Sequence, residues 1–136
     1  MLGGPAQLLG QNLAECRKAA GGRFDLPVLK RLATGTLDAL EALHRAGFIH
    51  RDVKPANFGI SPPFGDSYTG TWKIIDFGLA RRYIDDDGAV LPERTDTAFR
   101  GSSTYASVFA HLEQDLGRRD DLWSWLYCLI ELLDGE

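Results

Sequence analysis

Chemistry-bearing side chains crowd into one stretch, His50-Arg51-Asp52-Val53-Lys54-Pro55-Ala56-Asn57, and resume at Asp76-Phe77-Gly78. Phosphoryl transfer asks little covalent work of a protein. It needs a carboxylate to orient the attacking hydroxyl and take its proton, a compact cation beside the transferred phosphate, and hard oxygen ligands for magnesium. Asp52, Lys54, Asn57 and Asp76 are residues of those types in that order. Each has an ordinary reading by itself: Asp52 as a turn cap, Lys54 as a surface lysine, Asn57 and Asp76 as turn residues. The joint spacing favours a shared site. Asp76 also follows the apolar pair Ile74-Ile75, where a strand end would present a ligand. Phe77 reads as a core anchor in either case.

Positioning falls to the elements around this stretch. Residues 1–10 are Gly-rich and aperiodic and read as a loop. A short helix is predicted over 12–20, capped by Asn12, with Leu13, Cys16 and Arg17 on one side and Gly21-Gly22 ending it. Asp25 caps a long helix over about 26–46, with Pro27 tolerated in its first turn. Leu29, Leu32, Ala33, Thr36, Leu37, Leu40 and Leu43 recur at helical spacing and form its buried stripe. Gly35 weakens that helix, and close packing would explain it. Gly47 stops the helix, and Phe48-Ile49 leads into His50 as a short extended piece. Strands are predicted at 58–60 and 72–75, with 61–70 as the hairpin loop. Residues 79–100 read as irregular, with an acidic run at Asp85-Asp86-Asp87. A short helix over 107–115 precedes one over 120–133 that is apolar on nearly every face: Leu122, Trp123, Trp125, Leu126, Leu129, Ile130, Leu132 and Leu133. Such a helix belongs at the centre of a core. With the chain ending soon after, it is expected to expose apolar surface for a partner to cover.

Composition sets outer bounds. A chain of 136 residues, 44% hydrophobic and 25% charged, has the make-up of one globular domain or one lobe of a larger one. A net charge of −4 argues against nucleic-acid binding through a general basic field. Local attraction to anions would fall to Arg81-Arg82 and Arg118-Arg119, which read equally well as solvated surface. Cys16 and Cys128 form neither a metal cluster nor a disulfide framework, which suits a reducing compartment. The first residues lack the pattern of a signal peptide, and no apolar run is long enough to span a bilayer. No membrane is expected, and a cytoplasmic location is, with the nucleus also open.

The spacing H-R-D-x-x-x-x-N followed by D-F-G resembles the catalytic loop and magnesium-binding segment of protein kinases. That resemblance implies Asp52 as catalytic base, Lys54 at the γ-phosphate of ATP, and Asn57 and Asp76 as Mg2+ ligands. A lysine two residues after the Asp is the Ser/Thr form of the loop, so the implied partner is a protein Ser/Thr hydroxyl. His50 would hold the loop. Arg51 would pair with a phosphate on the activation segment or make a structural salt bridge. More of the chain is similar to the casein kinase I superfamily, nearest its tau-tubulin kinase branch. The matching runs are Leu9-Gly10-Gln11-Asn12-Leu13, Phe99-Arg100-Gly101-Ser102-Ser103-Thr104-Tyr105-Ala106-Ser107 and Gly117-Arg118-Arg119-Asp120-Asp121-Leu122-Trp123-Ser124. By this likeness Asp121 would anchor the His50-Arg51 backbone from the central helix, and Ser102 would stand where the family has a Thr bridging the catalytic Asp and Lys. Thr104 replaces an Arg that the superfamily uses for anions, which questions a preference for prephosphorylated or acidic substrates. Phe109 replaces a usual Asn.

The expected fold class is α+β: a kinase-like C-lobe fragment, mainly helical with a short β-hairpin, the N-lobe absent. Residues 1–136 form one partial kinase domain, with the catalytic loop at 50–57 and the activation segment at 76–107. No Gly-rich phosphate loop and no strand lysine in a V-A-x-K context occur; Gly3-Gly4 is not such a loop, and the lysines are Lys18, Lys30, Lys54 and Lys73. The main expectation is therefore Ser/Thr kinase chemistry by family, with activity of the isolated chain in question. The alternatives are a truncated or pseudokinase fragment that only binds partners, and an unrelated helical binding module.

Overall fold

The computed structural model describes residues 11–61, 70–95, 97, 101 and 103–135. Its first helix, α1 (Leu13–Ala19), starts where Asn12 and Glu15 satisfy each other's amides. The Glu15 N–H donates to Asn12 Oδ1 at 2.9 Å and the Asn12 N–H to Glu15 Oε1 at 3.0 Å. Two otherwise unpaired donors are thereby met at one helix end. Asp25 Oδ1 accepts the Val28 N–H at 3.1 Å to begin α2 (Leu26–Arg45).

The apolar stripe of α2 follows its spacing except at one edge. Leu29, Leu32, Thr36, Leu40 and Leu43 are buried, but Leu37 is 37% exposed and Ala39 takes the inner position. Gly35 lies against the indole of Trp72, where a Cβ would come within 2.5 Å of Cδ1. A side chain at 35 would force the buried Trp72 ring or the helix to shift.

Two small antiparallel pairs follow. Strand β2 (Phe58–Ile60) pairs with β3 (Trp72–Ile74) in the register Phe58 to Ile74 and Ile60 to Trp72. The other pair joins β1 (Phe48–Ile49) to β4 (Arg81–Arg82). Strand β4 falls inside the segment read as irregular. It owes its structure to the edge that β1 offers rather than to any local pattern, and Tyr83 extends the link by donating its N–H to Gly47 O at 3.0 Å. The expected hairpin loop and the opening 1–10 loop lie almost wholly outside the described residues.

Helix α3 (Val108–His111) is shorter than the 107–115 segment predicted. Ser107 caps it, and Glu113 adopts a left-handed φ of 58° that carries the chain away. Helix α4 (Arg118–Asp134) crosses α2, where Trp125 Nε1–H donates to Thr36 Oγ1 at 2.9 Å. Its inward line is Asp121, Ser124, Cys128 and Leu132, while Leu122, Trp123, Leu126, Ile130 and Leu133 face outward. Apolar surface is thus exposed along this helix, as expected, while Trp125 and Leu129 pack against the core only in part. Among the described residues, the core is built from α1, α2, β2 and β3, with Cys128 and Leu132 as the buried apolar share of α4. Both cysteines are buried free thiols. Burial first, and then a neighbouring carboxylate, pushes both thiols up from their ordinary value.

Candidate active site

The loop after β1 is held from two sides. From α4, the buried Asp121 carboxylate accepts the His50 N–H at 2.8 Å and the Arg51 N–H at 2.9 Å. His44, in the last turn of α2, lies against the same carboxylate, with Nε2 2.8 Å from Oδ2. A buried carboxylate is costly unless its oxygens are hydrogen-bonded, and three partners meet this one. The arrangement supports an unusual backbone, since Arg51 has a φ of 70°. A bulky residue in that region carries strain of about 1–3 kcal/mol that surrounding contacts must offset. The Arg51 side chain donates Nε–H to Leu79 O at 2.6 Å, tying the loop to the segment that follows Asp76.

From the other side, the fully buried His50 ring reaches Ile75 O through Nε2 at 2.9 Å. A carbonyl only accepts, so Nε2 carries the hydrogen, and Nδ1 accepts the Asp52 N–H at 3.1 Å. One imidazole therefore links Asp52 to the end of β3, and the Phe77 ring lies edge-on to it at 5.9 Å.

Three of the four expected reacting-site residues come together directly. Asp52 Oδ2 is 3.7 Å from Lys54 Nζ and 3.4 Å from Asn57 Nδ2. The Asn57 amide also donates to Asp52 O at 2.8 Å, which fixes its orientation and turns Oδ1 away as its acceptor atom. Among the described residues that oxygen accepts no hydrogen bond. Asp76 joins through the backbone, because Ile75 N–H donates to Asn57 O at 2.8 Å. The Asp76 side chain is exposed, its φ is 59°, and its Oδ1 accepts the Gly78 N–H at 3.3 Å. Asp tolerates that conformation better than most residues do.

Ser102 lies outside the described residues. Its neighbour Gly101 has a φ of 101°, and a Cβ there would meet Arg51 O at 3.0 Å, so two backbones approach closely at this point. Thr104 is exposed. Phe109 underlies Arg119, whose guanidinium carbon is 3.8 Å from the ring centroid.

The oxygens available suit magnesium in a particular way. Among the described residues no group of three or more His, Cys, Asp or Glu side chains could hold a metal by itself. Magnesium commonly takes one or two protein oxygens and completes its shell with water and substrate phosphates. Asn57 Oδ1 and the Asp76 carboxylate fit that donor set.

Residues 8–136 match the family model described as the protein kinase domain. The chain belongs to the protein kinase family. A Dictyostelium discoideum protein named a probable serine/threonine-protein kinase is 47% identical over 96% of this chain and 26% of its own length. The Caenorhabditis elegans serine/threonine-protein kinase spe-6 is 42% identical over 95% of this chain and 34% of its own. A provisionally named casein kinase I of the same worm is 38% identical over 96% of this chain and 38% of its own length. The kinase chain thus spans roughly a quarter to two fifths of these relatives.

Several positioning groups of this kinase chain carry no sequence signal of their own. His44 looks like any polar residue near a helix end. Tyr105 donates its hydroxyl to both Glu131 oxygens, at 2.8 and 2.9 Å, and Arg17 NH1 reaches the same carboxylate at 3.4 Å. Burial and that bond to a carboxylate push the Tyr105 phenol up from its ordinary value. Asp115 gathers the segment after β4, accepting the Arg94 N–H at 2.8 Å, Arg94 Nε–H at 3.1 Å and NH2 at 2.9 Å, and Arg81 NH1 at 3.4 Å. Burial works to raise its carboxyl, but the Arg94 hydrogen bonds and the Arg81 and Arg94 charges outweigh it and hold the carboxyl below its usual value. Ser107 donates its hydroxyl to Asp120 Oδ1 at 2.7 Å, linking the α3 cap to the start of α4.

Proposed function

We propose that the protein carrying these residues transfers the γ-phosphoryl group of ATP to Ser/Thr hydroxyls of protein substrates. The observation that carries this is the Asp52 carboxylate, flanked by Lys54 and Asn57 on a loop held by Asp121. Asp52 orients the substrate hydroxyl and accepts its proton as the oxygen–phosphorus bond forms and the bond to the leaving diphosphate breaks. Lys54 supplies positive charge to the transferred group. Asn57 Oδ1 and Asp76 would hold Mg2+, which neutralises phosphate charge when bound. His50, Arg51, Ser102 and Asp121 are proposed as supports of the loop and of the activation segment at 76–107.

Within the kinase family we assign the chain to the casein kinase I superfamily, near its tau-tubulin kinase branch. Lys54, the Tyr105-Ala106-Ser107 run and Asp120-Asp121-Leu122-Trp123-Ser124 support this, as does the 38% identical relative named as a casein kinase I. No helix among the described residues is long and apolar enough to cross a membrane.

Transfer from ATP with magnesium to a mixed Ser/Thr peptide pool, measured for the chain and for Asp52→Asn, tests the reading. A fall of about 10²–10⁴-fold in the variant supports Asp52 as base. Undiminished turnover in the variant removes Asp52 from that role. Nucleotide binding without turnover in either protein favours a module that only binds.

A further inference from the structure

The two arginine pairs that stand out in the sequence are far apart along the chain, yet Arg81 of one pair and both members of the other line one cavity. Its volume is about 310 Å³, and its walls include Tyr83, Leu91, Glu93 and Asp115. Arg82 is directed elsewhere, with NH1 3.2 Å from Asp86 Oδ1.

The charges in this cavity are not equivalent. Asp115 is already engaged by Arg81 and by three donors of Arg94. Arg119 stacks on Phe109 and has Nε 4.0 Å from Asp120 Oδ2. Arg118 differs from both. Its guanidinium carbon lies 4.7 Å from the Tyr83 ring centroid, and among the described residues it makes neither an ion pair nor a hydrogen bond. A guanidinium within about 6 Å of an aromatic centroid is attracted by the ring and has more N–H donors than that contact uses. The ring contact holds the cation in place, and among the described residues no other group engages its N–H donors.

We propose that this cavity is an oxyanion site for a phosphate group, with Arg118 as its principal donor and Tyr83 as the platform that orients it. A guanidinium suits a phosphate because two of its N–H groups match two phosphate oxygens. Glu93 opposes an anion, and the engagement of Asp115 by two arginines removes the other local opposition. The site is independent of the phosphoryl-transfer reading, since it uses none of Asp52, Lys54, Asn57 or Asp76. The phosphate is either the free ion or one carried on a peptide side chain.

Titration calorimetry of the full chain with inorganic phosphate, with a phosphoserine peptide and with the unphosphorylated peptide separates these sources. Binding of phosphate or phosphopeptide, weakened roughly tenfold or more in Arg118→Gln, is the expected result. Tyr83→Leu retains every charge and is expected to weaken binding as well, which a purely electrostatic patch would not do. Arg82→Gln is the control and should bind as the unaltered chain does. Absence of binding by both phosphates, or equal affinity in Arg118→Gln, overturns the proposal. So does binding of the unphosphorylated peptide as tightly as the phosphorylated one.

Discussion

The Asp121 carboxylate accepts the backbone amide of Arg51 at 2.9 Å across 70 residues of sequence. Its other oxygen takes the neighbouring amide of His50. The bond matters because Arg51 holds a left-handed φ of 70° immediately before Asp52. A relaxed backbone at 51 would redirect the carboxylate that follows it. Position 121 thus acts on the candidate base through main-chain geometry.

Asp121→Asn should expose this dependence. The amide side chain keeps one acceptor but presents N–H groups where a second acceptor is needed, leaving a donor facing a donor. A loss of about 3 kcal/mol in urea unfolding is expected. His44 shares the carboxylate, so His44→Ala should cost less in the Asp121→Asn background than alone. Additive losses would contradict a shared network, and a loss below about 0.5 kcal/mol would remove Asp121 as a support.

Gly35 offers a test in which local and tertiary effects oppose each other. Alanine favours a helix interior over glycine by about 1 kcal/mol. Its methyl, however, would lie 2.5 Å from Trp72 Cδ1, and overpacking of this kind costs about 1–3 kcal/mol. Gly35→Ala should therefore lower the urea midpoint. A raised midpoint would mean that Trp72 moves aside at little cost.

These cases separate what the sequence makes legible from what it does not. The starts of α1 and α2 are readable because caps are local: Asn12 with Glu15, and Asp25 with Val28, lie three residues apart. Strand β4 is not, since two residues have too little pattern and their partner β1 is distant in sequence. Periodicity located the buried side of α2, but packing chose Ala39 over Leu37 at its edge. In α4 the near-uniform hydrophobicity signalled exposed apolar surface but not which face turns inward, and the inward face is the one that carries Asp121 to the loop. Residue types and spacing singled out Asp52, Lys54, Asn57 and Asp76. The φ at Arg51, the part played by His44 and the Asp115 clasp arise only from the assembled chain.

The Asp115 clasp should give the fold an acid-sensitive component. Its carboxyl titrates below the ordinary value of 3.8, so between the two values the unfolded chain binds more protons. Stability from this group is fully present above 3.8 and is lost as pH falls through the lower folded value. Arg94 is 45% exposed, and solvent screening keeps the contribution modest. The difference in unfolding free energy between the unaltered chain and Asp115→Asn should be flat at neutral pH and narrow on acidification below 3.8. A gap that widens on acidification would have the wrong sign for this clasp.

The outward face of α4 leads to a prediction about association. Leu122, Leu126, Ile130 and Leu133 recur along one side at 39–51% exposure, beside Trp123, which stacks on Tyr127 at 6.0 Å. Contiguous apolar surface of this kind favours contact over hydration, and no charged side chain of α4 interrupts that line between 122 and 130. The chain should therefore self-associate with rising concentration in sedimentation velocity. Leu126→Lys with Ile130→Lys should shift it toward monomer while leaving the circular dichroism unchanged, because neither side chain belongs to the core. A monodisperse, cooperatively melting monomer at high concentration would show that this face does not drive association.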